Sequence, residues 1–466
     1  MEKNKSLNIS AKSFVLAIII IFLLMAVTYA LTFIIPGGEY ARTMDETGNS
    51  VIDTENGYHT VEGGIPFWKW LLSPVLVLGA EGSGALIAVI IFLLVIGGIF
   101  NALNECGLMN YMLQTLVGKF GNVRYRLMAV LIFFFMAMGS LVGSFEEIVP
   151  FVPIIVSLAI GLGWDAVTGI AISLLAAGCG FAAGVANPFT IGVAQTIAGL
   201  PMFSGIWLRL VSFFSIYALL FLFVYLHARK LGGKSVYNSS ELEFKKDRYM
   251  DKGLILFAVI IGVGILLVLC SGFVPALRDY TMIIVAVMFL IAGVSSVLAT
   301  GMDVNPFGKS FIHGVITVSP SILMILMASS IKYIMVEAHI LDTLVYGAVG
   351  MAEGMSKAAL ILFIYLICLI MNFFIPSGSA KAFLLIPLIV PLAQVFGIHS
   401  QLCIVAFAFG DGFSNVFYPT NPALLISLGL ADVSYAKWAK YSGVFQGLNL
   451  LLTSCILLIG LLVGYH

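Results

Sequence analysis

Two glutamates side by side, Glu146 and Glu147, sit in the turn Gly143-Ser144-Phe145-Glu146-Glu147 between apolar runs, in a chain of which only 10% is charged. A carboxylate in such surroundings is costly unless it meets water or a partner, so the pair is a candidate for gripping an ammonium or guanidinium group. Gly143 and Ser144 stand where a helix begins, and its free N–H groups and positive dipole end attract a substrate carboxylate. A tight turn would use the same residues for geometry alone. Further on, a glycine-rich stretch ends at Asn187-Pro188, where a break in the helix frees carbonyls that, with the Asn side chain, can hold a cation or a substrate group. A kink satisfied by neighbouring helices is the alternative there. The same parts return as Pro376-Ser377-Gly378-Ser379 and Thr420-Asn421-Pro422. Between them Asp411, together with Asn415, is a candidate for binding a coupling Na⁺ or H⁺; Asp411 could also grip a cationic group of the substrate, or else be a buried helix cap.

The return keeps register. Adding 234 carries Pro153 to Pro387, Ile155 to Ile389, Val156 to Val390, Gly178 to Gly412, Asn187 to Asn421 and Pro188 to Pro422, with ten identities between Ser144 and Thr190 and no gap. Two halves follow from a period of half the chain. Under this shift Glu146 and Glu147 meet Ala380 and Lys381. Neighbours on a helix point about 100° apart, so at most one glutamate faces a cavity while the other pairs elsewhere, Lys381 being one partner on offer. Snorkelling of Lys381 to the interface is the other use of that side chain. His399 and its counterpart Asp165 fall at hairpin ends and read as structural.

The elements that must position these residues are membrane helices. Hydrophobic residues make up 61% of the chain and mean hydropathy is +1.09, outside the range of soluble domains. Lys+Arg and Asp+Glu balance at 23 each, which leaves no case for nucleic acid as a partner. Six scattered cysteines without a CxxC or Cys/His cluster read as small core residues and give no metal site; no cofactor is expected beyond a coupling ion.

Spans are expected near 14–35, 84–103, 166–200, 203–226, 253–273, 281–300, 319–336, 401–430 and 444–463, about nine crossings. Two further pairs of short apolar runs, 127–142 with 148–162 and 358–375 with 382–396, read as re-entrant hairpins, because only a hairpin tip in a watery cavity holds such polar turns cheaply. The segments 166–200 and 401–430 read as broken helices. The span 281–300 has no partner in the first half, where a polar acidic loop, 39–64, stands instead. That odd crossing inverts the second repeat relative to the first. The organisation expected is a first repeat with its N-terminal helix, 1–228, a basic cytoplasmic linker, 229–252, and an inverted second repeat, 253–466, with a cytoplasmic N-terminus.

Inverted repeats with paired hairpins and broken helices are the construction of a secondary transporter. An intramembrane protease would need facing catalytic acids or an HExxH motif, and a channel would need rings of like groups. The stretches Gly-Ser-Phe-Glu-Glu-Ile-Val-Pro-Phe, Ala-Asn-Pro-Phe-Thr and Gly-Asp-Gly-Phe-Ser-Asn-Val-Phe-Tyr-Pro-Thr-Asn-Pro resemble the YfcC-like carriers, relatives of the anaerobic four-carbon-dicarboxylate carriers and the ArcD-type basic amino acid antiporters within the ion transporter superfamily. The resemblance implies a bacterial inner-membrane carrier with an elevator-like transport domain and a scaffold domain able to form a homodimer. It leaves two substrate classes. The acids Glu146, Glu147 and Asp411 favour a basic amino acid such as arginine or ornithine; a C4-dicarboxylate is the alternative.

Overall fold

Backbone N–H and C=O groups in an apolar run have no water to bond and must satisfy one another within the run, so runs of this length fold as helices. A computed structural model describes residues 11–44, 50–52, 57–80, 83–120, 123–201, 203–231, 247–271, 281–351 and 354–466, and most of them are in helices. Six are long and apolar enough to cross a bilayer: Arg124–Val142, Ala166–Ala183, Ile206–Leu231, Lys357–Phe374, Gly378–Val395 and Tyr435–Leu462. Ala11–Ile34, Ser83–Glu105, Arg248–Ser271, Thr281–Ala299 and Pro320–Glu337 are the other helices at positions read as spans. The chain is a multi-pass, all-helical membrane protein.

Both helix pairs read as hairpins form, but three of their four arms, Arg124–Val142, Lys357–Phe374 and Gly378–Val395, are long and apolar enough to cross a bilayer, where short runs were expected. The first runs up through Arg124–Val142, turns at Gly143, and returns through a tight 3-10 turn, Glu146–Phe151, before the regular helix Val152–Gly161. The expectation of a regular helix starting at Ser144 is corrected here. Pro150 and Pro153 remove two amide donors from the start of that arm, so it winds tightly first. The second hairpin pairs Lys357–Phe374 with Gly378–Val395. A cation closes each mouth: Arg124 Nη1 donates to Leu162 O (2.9 Å) and Lys357 Nζ to Gly397 O (3.3 Å).

The two broken helices cross at the centre. Ala166–Ala183 stops at Gly184 and resumes as Pro188–Gly192 and Val193–Ile197; Ser400–Asn415 stops and resumes as Pro422–Leu430. Their backbones touch where Gly412 meets Ala182, since a Cβ at 412 would lie 2.3 Å from Ala182 N. Asp165 and His399, the two residues read as structural, cap the starts of these helices: Asp165 Oδ1 accepts from Thr168 N–H (2.9 Å) and His399 Nδ1 from Gln401 N–H (3.3 Å). The end of the first broken helix meets the start of the second, Gln195 Nε2 donating to Gln401 Oε1 (3.0 Å).

Three features differ from the sequence reading. The polar stretch 39–64 is not merely a loop: Gly38–Tyr40 pairs with Tyr58–Thr60, and Arg42–Met44 with Ser50–Ile52, as two antiparallel ribbons. Its residues 45–49 and 53–56 lie outside those described. The acidic connector after Pro320–Glu337 is their anchor. Arg42 Nη2 reaches both oxygens of Asp342 (2.9 and 2.7 Å), whose Oδ2 also accepts from Tyr40 N–H (2.9 Å), and Lys69 pairs with Glu337. Burial and the Asp342 carboxylate push the Tyr40 phenol up to about 12, so it stays neutral beside that acid. Second, Val304–Val318 is an amphipathic helix with no place in the span count; it lies against Ser83–Glu105, where Asn101 Nδ2 donates to Ser310 O (2.8 Å). Third, Cys270 and Cys455 are exposed, unlike the buried Cys179, Cys368 and Cys403. Most of the linker, 232–246, lies outside the described residues.

Candidate functional site

The first hairpin tip is built by Gly143 in the left-handed region, φ 78°, a conformation that a side chain resists. A Cβ there would also lie 2.4 Å from Asn187 Oδ1, so the tip and the first helix break are in direct contact. Ser144 is buried with its Oγ unpartnered. Glu147 folds back, its Oε2 accepting from Phe145 N–H (3.1 Å), and it is buried; Glu146 is half-buried. Phe145 anchors the tip at the crossing of the broken helices: a Cβ at Gly178 would be 3.4 Å from Phe145 Cε2 and 3.5 Å from Gly412 O.

The two breaks share one device. Asn187 Oδ1 accepts from Phe189 N–H (2.9 Å) and Thr190 N–H (3.3 Å); Asn421 Oδ1 accepts from Ala423 N–H (3.0 Å) and Leu424 N–H (3.3 Å). Each side-chain carbonyl is thus spent capping the second half-helix, and each half-helix starts with Pro, which has no N–H to lose. The amide nitrogens differ. Asn421 Nδ2 donates to Asn415 Oδ1 (3.1 Å), whereas Asn187 Nδ2 is buried without a partner. Thr190 Oγ1 and Thr420 Oγ1 are buried and unpartnered as well.

The second tip holds a fully buried ion pair. Ser377 is exposed and caps the helix start, Oγ accepting from Ala380 N–H (3.4 Å); Gly378 is buried and Ser379 half-buried. A Cβ at 378 would lie 2.5 Å from Asp411 Oδ2 and 2.7 Å from Thr190 Cγ2, so only glycine lets the tip reach both. Lys381 Nζ donates to Asp411 Oδ1 (2.5 Å), and both side chains are 0% exposed. The two uses expected for Lys381, pairing with the glutamates or snorkelling, are corrected by this contact. Position 381 lies one turn below the tip and is packed against Ser400–Asn415, so Asp411 is within reach and the interface is not. Asp411 is four residues inside its helix and is not a cap.

One residue that the sequence reading passed over joins these pieces. Asn372, 1% exposed, accepts from Lys381 through Oδ1, and its Nδ2 faces Asp411 O (2.9 Å), Ser414 Oγ (2.6 Å) and Asn415 Oδ1 (3.0 Å). An Asn inside an otherwise apolar hairpin arm, five residues before the tip's Ser377, was the available signal. Thr190 was missed too, and its only signal was the hydroxyl three residues past Asn187.

Each tip faces the other half's break. Glu146–Phe151 packs against Pro422–Leu430, and Gly378–Val395 packs against Pro188–Gly192 and Val193–Ile197. The unpartnered buried atoms Ser144 Oγ, Asn187 Nδ2, Thr190 Oγ1, Asp411 Oδ2 and Thr420 Oγ1 all belong to these tips and breaks. Buried polar atoms without partners are uncommon in folded proteins, and these five are donors and acceptors of the kind that bind a small polar solute. Among the described residues there is no cluster of three or more His, Cys, Asp or Glu that could hold a metal ion.

Comparison with known proteins adds to this geometry. A family model described as DcuC, C4-dicarboxylate anaerobic carrier, matches residues 14–462. The chain is 29% identical over 404 residues, 82% of its length and 79% of the relative's, to an Escherichia coli (strain K12) protein named "Putative basic amino acid antiporter YfcC". It is 25% identical over 399 residues, 81% of its length and 76% of the relative's, to an uncharacterized protein of Haemophilus influenzae. Among solved structures it aligns over 97% of its length with 98% of the Alcanivorax borkumensis YdaH transporter, at 18% identity and a TM-score of 0.44, too distant to carry residue roles across.

Proposed function

The chain belongs to the C4-dicarboxylate anaerobic carrier family, and from that premise we propose that it is a secondary exchanger for a small carboxylate-bearing metabolite with a cationic group, a basic amino acid such as arginine or ornithine. That it is a membrane transporter rests on the family and the multi-pass helices. The substrate class rests on one observation: Lys381, the cation at the tips, is committed to Asp411 within a closed pair. Its charge is cancelled, and the half-buried carboxylate of Glu146 remains to set the sign of the site. Among the described residues no further side-chain cation stands at the tips to meet a dianion, whereas a guanidinium or ammonium would meet Glu146, and the solute's own carboxylate would meet the hydroxyls and amide at Ser144, Thr190 and Asn187. The name carried by the Escherichia coli relative agrees; the family model's name favours a dicarboxylate.

The transport cycle in this reading uses two inverted halves, 1–228 and 253–466, moving as an elevator within a bacterial inner membrane, with the N-terminus cytoplasmic and a scaffold able to pair with a second copy. Support for inversion comes from helix direction. The first broken helix starts beside the first hairpin's mouth and ends at Gln195, which touches Gln401 beside the second hairpin's mouth. The mouths therefore lie at opposite ends of the crossed pair.

Counterflow in proteoliposomes tests the substrate. Labelled arginine should accumulate against unlabelled arginine or ornithine, and Glu146→Gln should weaken it by about ten- to a hundredfold, the effect of losing one charged hydrogen bond. Uptake of fumarate or succinate with arginine ignored would replace this reading with the dicarboxylate one.

A further inference from the structure

Lys381 Nζ is held by three oxygens of three chemical kinds: the Asp411 carboxylate (2.5 Å), the Asn372 side-chain carbonyl, and the main-chain carbonyl of Ile375 (3.5 Å). The last is the residue at which Lys357–Phe374 stops, so its carbonyl is one that a helix end leaves open. The Asn372 amide cannot be turned around, because its nitrogen faces the carbonyl of Asp411 (2.9 Å), which only accepts. Its oxygen therefore points at the ammonium by construction. A carboxylate, an amide carbonyl and an open helix-end carbonyl converging on one point are the ligands that small hard cations select. Asp411 Oδ2, buried and unpartnered at the edge of this cage, supplies a further oxygen. The cage also joins three segments, since Asn372 and Ile375 belong to one hairpin arm, Lys381 to the other, and Asp411 to the broken helix.

We propose that the Lys381 ammonium is a built-in cation occupying a site of the kind that a soluble monovalent ion would otherwise fill. The second hairpin is then locked onto the broken helix without an external ion, and the site carries the same charge in every state of the cycle. A tethered cation cannot dissociate, so this half of the molecule draws no work from a Na⁺ gradient, and solute must move against solute. The transport consequence rests on the carrier reading above; the occupancy of the cage does not.

The test is thermal unfolding of the purified full-length protein in choline, Na⁺, K⁺ and Li⁺ chloride at equal ionic strength. Wild type should unfold at one temperature in all four. Lys381→Ala should unfold earlier in choline and recover by several degrees in Na⁺ or Li⁺, because an ion that binds only the folded state raises its Tm. Lys381→Ala combined with Asp411→Asn should lose that recovery. A folded, monodisperse Lys381→Ala protein indifferent to every cation would overturn the proposal, as would a Na⁺-dependent Tm in wild type that Asp411→Asn abolishes. The wild type supplies a second arm that needs no variant: exchange in proteoliposomes should run at equal rates in choline and Na⁺, and a tenfold dependence on Na⁺ overturns the transport consequence drawn from the built-in cation. Absence of exchange for every solute tried would count against the carrier reading alone and leave the unfolding result to decide the cage.

Discussion

Asn187 and Asn421 occupy matching positions and cap matching half-helices, yet they differ by one hydrogen bond. Loss of either cap should cost about 1 kcal/mol, the usual penalty for replacing an Asn N-cap by Ala. Asn421→Ala also removes the donor to Asn415 Oδ1 (3.1 Å), worth roughly another 1 kcal/mol. We therefore expect Asn421→Ala to lower Tm more than Asn187→Ala, and Asn187→Ala to abolish exchange out of proportion to its small loss of stability, since its amide nitrogen is buried and uncommitted. Equal Tm losses with exchange intact in both would reduce the two residues to caps. The ion pair ranks above either. Asp411→Asn removes the charge that compensates a fully buried ammonium and should cost about 3 to 5 kcal/mol, the penalty for breaking a buried pair from one side. A chemical denaturation midpoint unchanged from wild type would show that the ammonium finds another acceptor.

At the scale of elements, the crossing of the broken helices is set by backbone contact. A methyl group at 412 would stand 2.3 Å from Ala182 N and 2.4 Å from its Cα, atoms that cannot swing aside. A methyl at 443, on the last helix, would first meet Phe417 at 3.6 Å, an ordinary contact. Gly412→Ala should thus lower Tm and the yield of monodisperse protein by the 1 to 3 kcal/mol or so typical of overpacking, or more, while Gly443→Ala should be neutral. Gly178→Ala tests the same crossing more gently, because the atom nearest to its added methyl is a side-chain carbon, Val416 Cγ1 at 2.5 Å, and not backbone. The order Gly412, Gly178, Gly443 in fluorescence-detected gel filtration is the expected result, and a tolerant Gly412→Ala would mean the two helices are free to separate.

For the whole molecule, the decisive property is sidedness. Val123 and Ser356 are exposed residues at the mouths of the first and second hairpins. In a cysteine-free background, Val123→Cys should react with an impermeant maleimide from the cytoplasmic face and Ser356→Cys from the outer face. Labelling of both from one face would remove the inverted repeat and, with it, the exchange of inward-open for outward-open forms by symmetry.

Much of this was legible in the chain before any fold. The apolar runs had to be helices because lipid leaves the backbone no other partner, and Gly143-Ser144, Gly378, Asn187-Pro188 and Asn421-Pro422 had to interrupt them because those residues serve turns, caps and breaks. The 234-residue register placed equivalent parts in equivalent elements: Ser83–Glu105 shifts onto Pro320–Glu337, and Ile206–Leu231 onto Tyr435–Leu462. The family resemblance lay in the same motifs. Pairing was not legible. Lys381 is bound by Asp411, thirty positions on, and by Asn372, nine positions back, and nothing in a one-dimensional string says which of Glu146, Glu147 or Asp411 will stand within a few ångströms of its ammonium. Nor could the string show that Asp342, 300 residues from Arg42, anchors a β-ribbon. Local backbone chemistry depends on neighbours in sequence, so composition and spacing determined the elements and their breaks. Charge compensation depends on distance in space, and only the tertiary structure decided which carboxylate was consumed by the protein's own cation.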